Sequence, residues 1–162
     1  MSTAPELERE FLRHTLATIA YRGAKPLRDA PASFGTTEIG GYPRTPVMIL
    51  AHINDIFDWA LSLSRGKSAW NASTPKEWSS EVTRFFHGLK ALDDYLASAE
   101  PLHESPEKLF QGPIADVLTH VGQLSLLRRM AGHPVKAENY HKAAIASGQV
   151  GREQPAPKLE FD

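Results

Sequence analysis

The sequence predicts an all-α protein: a four-helix bundle with a short extra C-terminal helix and an extended tail. Three observations lead there. Four segments place apolar residues at intervals of three and four, each is bounded by helix start and stop residues, and no stretch alternates strictly enough to form a sheet. The 162 residues, 41% of them hydrophobic, suit one domain with a core of its own. That single domain is expected to span 1–162, with the bundle in 4–132 and an appendage in 133–162.

The elements follow in order. Thr3 and Glu6 have the spacing of a capping box, with Pro5 between them, and "ELEREFLRHTLATIAYRGA" meets no breaker before Gly23 and Pro26. The first helix is therefore expected over about residues 4–24. "APASFGTTEIGGYPR" has no helical period and should be a surface loop. Thr45 caps and Pro46 opens a second helix, "PVMILAHINDIFDWALSLSRG", which stops at Gly66. Thr74, Pro75 and Glu77 repeat the capping signal before a third helix that carries Trp78, Val82, Phe85, Phe86, Leu89, Leu92 and Leu96 at helical intervals. The connection "SAEPLHESPEKLFQG" ends at Gly112, and Pro113 takes the first turn of a fourth helix that runs to Gly132. Arg128 and Arg129 fall in its last turn, where positive charge suits the carbonyl end of the dipole. Residues 137–147 fit a short fifth helix, and "GREQPAPKLEFD" should be extended.

Composition narrows the function classes. With 18 basic and 19 acidic residues and a formal charge of −1, the chain has no electrostatic footprint for nucleic acid or an anionic membrane. No run approaches the roughly 20 apolar residues that span a bilayer, and "MSTAPELERE" lacks the basic flank and apolar centre of a secretory signal, so a cytoplasmic protein is expected. Cysteine is absent, which removes disulfides, thiolate ligands and a cysteine nucleophile. A metal site would have to use His, Asp or Glu.

The fourth helix raises that prospect. In "GPIADVLTHVGQLSLLRRMAG", Asp116 and His120 stack one turn apart and border the stripe of Val117, Leu124 and Leu127. On the second helix His52 falls among Ile56, Trp59 and Leu63, while Asp55 and Asp58 are expected on the opposite, solvent-facing side. A histidine from one helix and a carboxylate with a histidine from another can converge across a bundle interior and supply three ligands to a divalent ion with a position left open. By spacing alone, Asp-x-x-x-His is a common accident and more often marks two polar residues at a helix margin. Gln123, one turn beyond His120, is a candidate to orient a metal-bound water, or to cap or bond between helices. His14 is a candidate fourth ligand or outer group, or a satisfied histidine at the boundary, and Trp59 either lines the pocket or belongs to the core.

The segment "HVGQLSLLRRMAG" resembles the fourth helix of the DinB/YfiT-like superfamily, whose typical pattern is His-Arg-Gly-Gln, an apolar run, an arginine and a glycine. His120, Gly122, Gln123, Arg129 and Gly132 match that pattern, and "TPVMILAHINDIFDWAL" is similar to the second helix of the family, with His52 at the ligand histidine. The resemblance implies a bundle of up-down-down-up topology, often dimeric, in which three histidines hold Zn, Ni, Fe or a similar divalent ion. Carried onto this chain, His52 and His120 take two ligand positions and Asp116 stands where the family has its remaining histidine. A carboxylate there makes the site harder and less positive. The resemblance further implies a metal-dependent enzyme, of thiol S-transferase or hydrolase type, that acts on a small molecule with a low-molecular-weight thiol or water. The competing readings are a non-catalytic metal or small-molecule binder and a structural dimer without metal.

Overall fold

A computed structural model describes residues 3–161. Its long helices are α1 (Ala4–Leu27), α2 (Pro46–Ser64), α3 (Trp78–Ala97) and α5 (Ala115–Met130); a four-residue helix α4 (Pro106–Leu109) leads into α5 through one wide turn, Phe110–Ile114. Among the described residues the structure is all-α apart from an antiparallel ribbon of two residues a strand, β1 (Ala137–Glu138) with β2 (Glu160–Phe161).

The start of α1 forms as its spacing predicts: the Thr3 backbone N–H donates to Glu6 Oε2 at 2.7 Å. The helix then outruns its expected end near residue 24. Gly23 is not a stop but a contact point, since a Cβ there would lie 2.6 Å from Phe85 Cζ on α3. Pro26 falls in the last turn, and the carbonyl end beyond it is held from another helix. The buried Arg128 guanidinium donates from Nη1 to the Pro26 and Arg28 carbonyls at 2.9 and 3.0 Å, and from Nε to the His133 carbonyl at 2.9 Å. Arg128 therefore serves the C-terminus of α1 as well as that of its own helix.

The expected opening of the fourth helix at Pro113 is corrected: helical structure begins seven residues earlier. Ser105 caps it by accepting from the Lys108 N–H at 3.3 Å, and Pro106 is the first-turn proline. Pro113 lies inside the wide turn, where i→i+5 bonding accommodates its missing N–H, so neither it nor Gly112 breaks the run. At α3 the cap is Glu77 rather than Thr74, and Glu81 reaches back to accept from the Lys76 N–H at 2.9 Å.

The fifth helix expected over 137–147 does not form. Only Tyr140–Lys142 makes a 3-10 turn, because the flanking chain is drawn out along α1. Glu138 is buried there, accepting from the Tyr21 hydroxyl at 2.6 Å and pairing with Lys25 Nζ at 2.6 Å, while Glu160 pairs with the same amine at 3.0 Å. Tertiary partners outweigh local helix propensity in this segment. The tail is extended, as expected, and closes the ribbon with β1.

Contacts between named residues fix how the helices run. Phe11 meets Phe110 near the starts of α1 and α4, and Arg128 meets Pro26 near the ends of α5 and α1, so these run the same way. Arg13 pairs with Asp93 and Gly23 abuts Phe85, so α3 runs opposite to α1. Asn54 bonds Glu81, and Phe57 packs on Phe85 and Gly88, so α2 and α3 run together. The core at the centre holds Leu16, Ile53, Phe57, Phe85, Leu89 and Val117, each almost wholly buried. No helix among the described residues is long and apolar enough to cross a membrane.

Candidate metal centre

The cluster grows from two helices that present one apolar face to each other. His52 lies in the second turn of α2, between the buried Ile49 and Ile56, and is half-buried. Asp116 and His120 lie in the first two turns of α5, one turn apart, flanked by buried Val117, Val121 and Leu124. The periodicity that builds the core thus also sets these three side chains at its edge. The His52 and His120 rings meet edge to face with centroids 4.9 Å apart, and His120 Nε2 lies 3.3 Å from Asp116 Oδ1. One ligand atom from each of the three residues falls within 4.8 Å of the others.

Hydrogen bonding orients His120. Its Nδ1 lies 2.9 Å from Gln123 Oε1, an oxygen that can only accept, so the ring proton belongs on Nδ1. The Nε2 lone pair then faces the Asp116 carboxylate oxygen. Two acceptors so placed need a cation or a second ring proton between them. Metal–ligand bonds of about 2.0–2.2 Å separate neighbouring ligand atoms by about 3 to 3.5 Å, so the Nε2–Oδ1 spacing fits one edge of a coordination sphere. The Asp116 side chain is 49% exposed and has the freedom to close the wider spacings, whereas His120 at 12% is held. Burial, followed by the charge of neighbouring His120, pushes the His52 imidazole below its ordinary value, which favours the neutral form that binds a metal. The donor set fits a divalent ion.

Of the outer candidates, Gln123 touches the site directly through His120. Trp59 reaches it through an intermediary: its ring packs on Trp70 at 6.0 Å, and Trp70 packs edge to face on His52 at 5.7 Å. His14 is exposed on α1 and stands outside the trio; Leu7 and Phe11 beside it are exposed as well, whereas Tyr21, further along the same side of the helix, is buried. Trp70 itself has no signal in the sequence, since the loop that bears it has neither period nor motif.

The placement of Asp55 on a solvent-facing side is also corrected: Asp55 is buried, and only Asp58 is exposed. A bundle helix has two neighbours, and the side of α2 away from α5 packs on α3. There Asp55 accepts from Arg84 Nη2 at 2.7 Å and from the Ser73 backbone N–H at 2.9 Å. Buried Glu81 accepts from Asn54 at 2.8 Å and from Lys76. This network ties the loop between α2 and α3 to both helices, and that loop carries Trp70 to His52.

Comparison of the chain with protein-family models, with curated proteins and with solved structures finds no match in any of the three.

Proposed function

We propose that His52, Asp116 and His120 bind a divalent ion, Zn, Ni or Fe, and that the protein is a metal-dependent enzyme of the thiol S-transferase or hydrolase type. The observation that carries this reading is the convergence of three ligand atoms within 4.8 Å, with Gln123 holding His120 so that Nε2 faces the cluster. The helix directions read from residue contacts amount to up-down-down-up. Together with the match of His120, Gly122, Gln123, Arg129 and Gly132, they support a DinB-like bundle, and with it a cytoplasmic homodimer acting on a small molecule. Asp116 in place of a third histidine lowers the net charge of the site and shifts its preference toward harder ions.

A divalent ion held by His52, Asp116 and His120 would supply Lewis acidity, lowering the pKa of a thiol or water so that it becomes a nucleophile at neutral pH. The chain supplies the rest. Gln123 fixes the tautomer of His120, Trp70 packs edge to face on His52, and Asp116, the exposed member of the trio, brings the negative charge that offsets the ion.

A second reading keeps the site metal-free, with His120 as an imidazolium paired to Asp116; the 3.3 Å spacing is compatible with that pair. Turnover decides. Metal-loaded protein should accelerate the reaction of a low-molecular-weight thiol with an alkylating electrophile, and H52A should lose this while keeping its helical circular-dichroism spectrum. Metal-loaded protein with no rate above background, for thiols or for ester hydrolysis, would remove the enzymatic reading.

A further inference from the structure

Beside the trio, a groove of 310 Å³ runs along α5 between that helix and the loop before α2. Ile39, Gly40 and Tyr42 form one wall, Ile49 lies within it, and Leu126 and Met130 form the other wall. Gly40 belongs there for a steric reason: it has φ +62°, and a Cβ would lie 3.0 Å from the Met130 methyl. Several large apolar side chains around this end of the molecule are open. Leu126 is 52% exposed and Met130 55%, with Tyr42 at the rim and Met48 one turn before His52 also exposed. Gln123, the residue bonded to His120, also lines the groove, so the apolar groove and the ligand cluster share a wall. Arg44, exposed two residues before α2, lies near enough to His52 for its positive charge to disfavour the imidazolium, and has no hydrogen bond or ion pair among the described residues.

From the shared wall, the open apolar side chains and the unpaired cation, we propose that the groove holds the apolar tail of a small amphipathic ligand. Its anionic donor head, a thiolate or carboxylate, reaches the metal site beside Arg44. This rests on the metal reading and names the substrate class for it. The geometry argues against a wholly polar substrate: a polar chain laid along Leu126 and Met130 would give up hydration without acquiring partners. Continuity with Gln123 favours a ligand that enters the site over a second copy of the chain, whose helix would need a longer apolar face than this short groove offers.

The test uses full-length, untagged, zinc-loaded protein and two probes with the same head, octanoate and acetate, in calorimetric titrations. A fully buried methylene is worth about a fourfold gain in affinity, and one in a half-open groove about twofold, so the six extra methylenes should make octanoate bind at least about 30-fold tighter than acetate. L126Q/M130Q should reduce that ratio about 10-fold while leaving zinc stoichiometry and acetate binding unchanged, and R44Q should weaken both probes by a similar factor. Zinc bound with equal affinity for the two probes overturns this inference and leaves the metal reading standing. Failure to take up zinc overturns both. A dimer that dissociates on L126Q/M130Q substitution overturns it too, by assigning the groove to a second copy.

Discussion

Each residue of the proposed centre has a separable task. His52 and His120 contribute neutral nitrogens, Asp116 the charge, and Gln123 the orientation of His120 through a 2.9 Å contact to Nδ1. Loss of such an orienting partner typically costs 10- to 100-fold in metal affinity, so Q123L is expected to weaken zinc binding by about that factor while keeping its stoichiometry. Competition with a fluorescent chelator measures it. The lowered pKa of His52 fixes a sign as well. In the metal-free protein the folded form holds the His52 proton less tightly than the unfolded form, whose value is the ordinary 6.5. Stability is then complete above about pH 6.5 and declines as pH falls from there through the folded value. An NMR titration should place the His52 midpoint below 6.5, and the thermal midpoint of the apo protein should fall between pH 7 and pH 5. A midpoint above 6.5 would show the Asp116 charge, rather than burial, to govern the ring. At this scale the sequence discloses the trio because helical periodicity and resemblance both single out the same positions. It hides Trp70, which sits on an aperiodic loop and reaches His52 only through the fold of that loop.

At the scale of elements, polar side chains decide where helices stop and how loops are fixed. Arg128 is buried and gives three hydrogen bonds to carbonyls of Pro26, Arg28 and His133. Hydrogen bonds from a charged donor carry about 1.5–3 kcal/mol each and are not additive; R128A is expected to destabilise the protein by about 3 kcal/mol, measured by urea unfolding. The same experiment on R84A tests the loop network. Removing the guanidinium leaves the buried Asp55 carboxylate with only the Ser73 N–H, which should cost about 2 kcal/mol and loosen Trp70, seen as a red shift in tryptophan emission. The four long helices are legible from period and caps. Their ends are less so, because Gly23, Pro26, Gly112 and Pro113 read locally as breakers. Gly23 is instead required by Phe85, Pro26 is closed over by Arg128, and Pro113 is absorbed by a wide turn. The appendage is illegible for a related reason: "AENYHKAAIAS" has adequate helix propensity, yet Glu138 finds Tyr21 and Lys25 on a helix more than a hundred residues earlier.

For the whole molecule, α2 and α5 bring the ligand cluster together while α1 and α3 support it from behind and receive the C-terminal tail. An ion that bridges α2 to α5 binds only the folded chain, so it should stabilise by mass action. At a free zinc concentration 100 times Kd the gain is about 2.7 kcal/mol, or about 5 to 10 °C in thermal midpoint for a chain of this size. H52A should abolish that increment. Removal of the chain after residue 135 should lower the midpoint with or without zinc, because it strips Glu138 and Val150 from their buried places without touching the trio.

Metal content bears most directly on the proposed centre. Elemental analysis of untagged protein, after exchange into chelator-free buffer with excess zinc and desalting, should return close to one ion per chain, and H120A handled in parallel should return close to none. Equal metal in the two proteins, or none in either, would contradict the site proposed here.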